Sequence, residues 1–130
     1  MQMKKICFII ESMEGGGTQK NLFKLINILK KENVEISLIT FKKKSTERFI
    51  FGKFVKRHYA KVPLHSVNIF SAILNNFIRI KVLRGLLIKI QPFIIISFLP
   101  STNILTLISS IYLKKRVIIS ERNDPEKQNI

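Results

Sequence analysis

The sequence predicts an α/β fold: a Rossmann-like parallel sheet of about five strands with helices on both faces. Two observations carry that prediction. Short runs that are apolar at nearly every position alternate with longer segments of helical period, the pattern of a parallel sheet covered on both sides. A glycine turn, Gly15-Gly16-Gly17, stands between the first strand and the first helix, as in a βαβ unit. Size supplies a third constraint. The 130 residues suit one domain, 1–130, able to bury a core without disulfides. The single Cys7 excludes a disulfide framework and a Cys-rich zinc site.

The elements follow in order. Lys5 to Ile10 is a buried strand, ended by the polar and glycine-rich stretch from Glu11 to Gly17. Thr18 to Lys31 is helical, with Leu22, Leu25, Ile26 and Leu29 on one face and Lys20, Lys24 and Lys31 on the other. Thr18 is the expected N-cap, its hydroxyl taking an orphan N–H of the first turn. Val34 to Phe41 is the second strand, after a tight Glu32-Asn33 connection. Lys42 to Ala60 has no clean period and reads as a solvated loop or irregular helix, and Lys61 to Val67 as a weak third strand marred by Pro63. Phe70 to Ile90 is a long helix, and Pro92-Phe93 to Leu99 is the fourth strand. Ser101 or Thr102 is expected to cap a helix running to about Leu113. Arg116 to Ser120 is the fifth strand, with a loop after it.

The net charge is +15, and residues 42–61 hold +7 of it. Such a field favours anionic partners: phospholipid surfaces, nucleotide sugars or nucleic acid. Part of the excess lysine also fits an AT-rich coding bias, since Ile and Asn abound with it. The apolar run Ile6 to Ile10 is too short for a signal peptide's core. Gln91 to Leu113 is uncharged, but Pro92 and Pro100-Ser101-Thr102-Asn103 divide it into strand, turn and helix rather than one membrane span.

The glycine turn places free backbone N–H groups at a helix's positive end, a ready anion site. The dinucleotide pattern fails, because Lys20 stands where its third glycine is required, and Thr40-Phe41-Lys42 replaces the ribose-binding acid. No Gly-Lys-Ser/Thr follows, so P-loop hydrolysis is disfavoured as well. A plain tight strand–helix turn is the alternative use of the three glycines.

Three segments share a wider pattern. Lys4-Lys5-Ile6-Cys7-Phe8-Ile9-Ile10 followed by Gly15-Gly16-Gly17-Thr18-Gln19-Lys20-Asn21-Leu22, then Ile96-Ser97-Phe98-Leu99-Pro100-Ser101-Thr102-Asn103, then Val117 to Pro125, together resemble the N-terminal domain of family 4 glycosyltransferases with the GT-B fold. The resemblance implies an acceptor-side domain, incomplete at its C-terminus, from an enzyme moving a sugar from a nucleotide-sugar donor to a glycan or lipid-linked acceptor. It implies that Gly15, Gly16, Gly17 and Thr18 approach the donor's diphosphate and sugar, and that Ser101, Thr102, Asn103, Glu121, Arg122 and Asn123 line the cleft. Many members carry a histidine after the fifth strand. Glu121-Arg122-Asn123 stands here instead, so that role does not transfer and the catalytic residue stays unknown. Arg122 meeting a phosphate, Asn123 meeting a sugar hydroxyl, and Arg122 paired to Asp124 in a structural turn all remain open. The donor-binding residues of such enzymes lie in a second domain. The chain is therefore expected to need a donor-domain partner, or the rest of a longer enzyme, and to be inactive alone. No cofactor and no metal are expected, the nucleotide sugar being a substrate. The expected location is cytoplasmic, peripheral at the inner membrane face.

Within Phe70 to Ile90, Ile80, Leu83, Leu86, Leu87 and Ile90 fall on a sheet-facing side. Lys81, Arg84 and Lys89 share the other side with bulky apolar residues, which suits an anionic membrane surface or, equally, packing against further protein. Phe49 to Tyr59 interleaves aromatic and basic residues as a nucleic-acid stacking platform does, but a half-buried helix explains it as well, and nucleic acid is the disfavoured partner. His58 and His65 lack metal-ligand spacing, and Cys7 reads as a small core residue.

Overall fold

The computed structural model describes residues 3–42, 47, 49–62 and 67–120; Glu121, Arg122, Asn123, His65 and most of the expected third strand lie outside these. The elements are β1 (Lys4–Ile9), α1 (Gly17–Leu29), β2 (Val34–Thr40), β3 (Val55–Tyr59), α2 (Ile69–Ile90), β4 (Ile94–Phe98), α3 (Pro100–Ser109) and β5 (Arg116–Ser120). The five strands form one sheet in the order β3-β2-β1-β4-β5, and each neighbouring pair is parallel. This is the expected α/β Rossmann-like architecture.

Alternation along β1 divides the core into two layers. Cys7 and Ile9 join Ile39, Ile95 and the α2 residues Leu83, Leu87 and Ile90 on one face. Phe8 and Ile10 join Leu22 and Ile26 of α1, Leu38 and Phe98 on the other. The Phe8 and Phe98 rings stack across the strands at 6.3 Å. Burial pushes the Cys7 thiol up to about 12.

Several expectations need correction. The third strand is β3, inside the stretch expected to be loop or irregular helix, and Lys61 and Val62 follow it without strand structure. As an edge strand it needs little apolar content. Val55 enters the core, while Arg57 is neutralised by Glu47, its Nη1 donating to Oε1 at 2.7 Å, and donates to the Thr40 hydroxyl at 3.1 Å. Phe49, Phe51 and Phe54 pack inward against the α1 layer, with Phe49 and Phe51 each 5.2 Å from the Phe23 ring. Three of the platform's four aromatic residues, Phe49, Phe51 and Phe54, therefore serve the core, while Tyr59 lies under the Arg57 guanidinium. Phe23 takes a buried flank of α1 in the process, and Leu25, expected inside, is exposed.

The helix starts also differ. Gly16 is the N-cap of α1 and no side chain caps it, so Thr18 lies inside the first turn. Leu99 is the N-cap of α3, with Pro100 at the first helical position where its fixed φ suits the helix, so neither Ser101 nor Thr102 caps it, and the helix ends at Ser109 rather than Leu113. Helix α2 is capped by Asn68, whose side chain accepts the Ser71 N–H at 2.8 Å.

Candidate functional site

In an open sheet of this order the crevice lies at the carboxyl ends of β1 and β4, where the strand order reverses. Both strand ends carry strained backbone. Gly15 and Gly16 have φ of 150° and 148°, a region that side chains rarely adopt. A Cβ on Gly16 would lie 2.7 Å from Gln19 Oε1. Gln19 is itself held by its Nε2 donating to the Ser12 carbonyl at 3.3 Å. Across the crevice Leu99, not a glycine, sits at φ 76°, and its N–H donates to the Ser120 carbonyl at 3.2 Å. A non-glycine residue held there costs on the order of 1–3 kcal/mol, and the neighbouring strand supplies the constraint that holds it.

The glycine loop delivers α1 with its first N–H groups uncapped by any side chain and no acidic residue in its first turn. That end is electropositive and open to an anion. Lys42, just past β2, pairs with Glu14 beside the loop at 3.3 Å, so an ion pair without net charge borders it. Of the three glycines, Gly15 and Gly16 are demanded by their conformation. Around Gly17 a Cβ would meet nothing, so neither packing nor the turn demands a glycine there.

The second group divides. Thr102 and Asn103 are buried and Ser101 is exposed. Asn103 donates from Nδ2 to the Ser120 carbonyl at 3.2 Å, while its buried Oδ1 has no partner among the described residues. Asn103 thus ties the start of α3 to the end of β5, directly before Glu121-Arg122-Asn123, which lie outside the described residues. Ser101 and Thr102 border a small crevice of about 30 Å³ with Glu11, Phe41 and Arg79. Sequence reasoning missed Glu11 and Arg79 here. The available signals were Glu11 as the first residue past an apolar strand and Arg79 as the first charge in α2.

The third group is not one surface. Lys81 and Lys89 are exposed on α2, whereas the half-buried Arg84 donates through Nη1 to the Ser109 and Ile111 carbonyls and so completes the C-terminal end of α3. Lys89 and Lys56 face His58, which is held below the ordinary imidazole value first by burial and then by these two cations.

The chain is similar to part of a glycosyltransferase. It shares 32% identity over 122 residues with the Campylobacter jejuni GalNAc-alpha-(1->4)-GalNAc-alpha-(1->3)-diNAcBac-PP-undecaprenol alpha-1,4-N-acetyl-D-galactosaminyltransferase. The match takes in 94% of this chain and 33% of that enzyme, so the chain spans about a third of the length of the relative it matches. No family profile matches the chain. Among the described residues no helix is long and apolar enough to cross a membrane.

Proposed function

We propose that this chain is the acceptor-side half of a family 4, GT-B glycosyltransferase, moving a hexose-type sugar from a nucleotide-sugar donor to a glycan or lipid-linked acceptor. One observation carries the reading. The uncapped α1 terminus, presented by two conformationally obligatory glycines, sits at the switch point of the sheet in a chain similar almost throughout to a glycosyltransferase. The backbone N–H groups from Gly15 to Thr18 accept the donor's diphosphate, and the missing side chains let phosphate and sugar approach the main chain. The resemblance assigns the acceptor side to Ser101, Thr102, Asn103, Glu121, Arg122 and Asn123, of which Thr102 and Asn103 act from buried positions beneath it.

Catalysis of this type depends on positioning and on stabilising the departing diphosphate, which needs donor contacts from a second domain. The chain by itself transfers no sugar, and a donor-binding domain, in the same polypeptide or another, completes the site. It works on the cytoplasmic side, peripheral to the membrane.

The test is binding of nucleoside diphosphates and nucleotide sugars to the 130-residue chain, followed by ligand-observed NMR beside Gly16→Ala. Weak binding that falls at least tenfold in the variant, without turnover, is expected, since the new Cβ strains the loop and collides with Gln19. Equal binding by both proteins, or by neither, removes the glycine loop as the donor site. Turnover by the chain alone overturns the two-part requirement.

A further inference from the structure

A wide cavity lies at the amino ends of the strands, on the edge of the sheet opposite the crevice. It measures about 630 Å³ and is lined by Met3 and Lys4 at the start of β1, Pro92 and Phe93 before β4, and Lys115 before β5. Small-molecule pockets run from about 300 to 1,000 Å³. The local sequence builds this one. Helix α2 ends on Gln91 in the left-handed conformation, φ 54°, which turns the chain into Pro92 and lets the Phe93 N–H donate to the Lys5 carbonyl at 2.8 Å. The Gln91 amide is fixed from both sides: its Nε2 donates to the Ile88 carbonyl at 2.7 Å, and its Oε1 accepts from Lys115 Nζ at 3.2 Å.

Three cations at this pocket meet no carboxylate among the described residues. Lys4 Nζ lies 4.9 Å from the centroid of the Phe93 ring and the Arg116 guanidinium 5.5 Å from it, while Lys115 has the neutral Gln91 oxygen. Lys5 is engaged elsewhere: its Nζ donates to the Ile90 carbonyl at 3.5 Å and answers the partial negative charge at the end of α2. The acid on the wall, Glu35, is taken by Lys56 of β3, which holds its carboxyl below the ordinary value. Cations gathered without a counter-charge repel one another, and an anion entering the pocket relieves that repulsion. Beside the charge stands an apolar wall. Met3 and Phe93 are both nearly half exposed, and Pro92 backs them from a buried position.

We infer that this amino-edge pocket binds a nucleoside diphosphate, at a second site remote from the crevice. Charge and shape select the occupant. A single carboxylate would answer one of the three free cations, whereas a diphosphate brings several negative charges on one small group, suited to lysine point charges and to the arginine fork. The apolar wall of Met3, Pro92 and Phe93 suits the flat base joined to it. Strand β1 separates the pocket from the glycine loop by its six residues, a span of about 20 Å, so the ligand held here is not the reacting donor. The donor-binding domain of the proposed function faces the crevice, at the other edge of the sheet. What the pocket joins instead is the end of α2 to the starts of β1, β4 and β5, so its ligand reinforces the strands that carry the crevice.

The probe is ADP, titrated into the isotope-labelled chain while the backbone amides of Gln91, Phe93 and Lys115 are followed by NMR. Their signals should shift and saturate. Lys4→Gln combined with Lys115→Gln should weaken that binding about tenfold and leave the fold intact, since these side chains contact one ring and one amide. Adenosine and pyrophosphate, added separately, should each bind about tenfold more weakly than ADP, because each meets half of the pocket. No saturable shift at these amides, or a shift that the double variant leaves unchanged, overturns the site. Pyrophosphate binding as tightly as ADP makes it a plain anion site and overturns the nucleoside class. Tighter competition by poly-glutamate or by a single-stranded oligonucleotide assigns the pocket to a macromolecule and overturns it too. The glycine loop takes a diphosphate at the other edge, so its comparison with Gly16→Ala is run with the double variant in both proteins. The amides of Gly15 to Thr18 report that site alone, and failure of either site leaves the other standing.

Discussion

Helix α1 turns Leu22 and Ile26 to the sheet and Lys20, Lys24 and Lys30 to water, whereas α3 turns Thr102, Thr106 and Ser109 inward and Ile104, Leu107 and Ile108 outward. The two helices cover opposite faces of one sheet, follow neighbouring strands and begin at opposite lips of one crevice. They are held by different forces. Exclusion of water from large side chains fixes α1, together with the Phe23 contacts to Phe49 and Phe51. Small polar residues with specific hydrogen bonds, together with the partly buried Leu105, hold α3 against the sheet and α2, and Ile104, Leu107 and Ile108 stay outside. The contrast separates a helix with its large apolar side chains turned inward from one with most of them turned outward.

The contrast can be broken most strongly at α1. Leu22→Ala removes a fully buried side chain and should cost about 2–5 kcal/mol in urea unfolding, while Leu107→Ala on α3 should stay within about 0.5 kcal/mol. A comparable loss in both would mean that α3 is held by burial after all. A middle-sized effect should come from Thr106→Val, which keeps the shape but strips the hydroxyl from Ser97 and the Thr102 carbonyl. That change should cost about 1–2 kcal/mol by the same measurement, and a neutral result would deny hydrogen bonding the main role in holding α3.

The smallest effect sharpens the comparison from beside α2. His58 is held below its ordinary value, so the unfolded chain binds the proton more readily than the folded one. Its influence is absent at higher pH, where both states are neutral. Stability then falls slightly as the pH drops through about 6.5, the ordinary imidazole value, and goes on falling to the lowered folded value. Melting temperatures of His58→Gln and the parent should diverge only on that acid side.

Much of this architecture was legible in the sequence, for identifiable reasons. Strands β1, β2, β4 and β5 are apolar on both faces, so composition marks them whatever their neighbours. Edge strand β3 escaped because Lys56, Arg57 and His58 obey no apolar pattern, and the Glu47 pairing that makes Arg57 tolerable is a tertiary fact. The glycine loop was legible because Gly15 and Gly16 occupy backbone that other residues avoid. Leu99 does the same across the crevice and left no trace, since a strained leucine looks like any other. The inversion of α3 was hidden for a related reason: Thr, Asn and Ser are expected at a helix start, and only the structure places them inward. Glu11 and Arg79 line one crevice from distant positions in the chain, which no local spacing records.

Cys7 stands in the middle of β1, between β2 and β4, with no exposed surface and a thiol that burial keeps protonated. The thiolate is the form that reacts with alkylating agents. The only cysteine in the chain is therefore a built-in clock: it is labelled only when α2 lifts from the sheet or the sheet itself opens. Its modification rate counts these openings of the central layer and ignores fraying at β3 or β5.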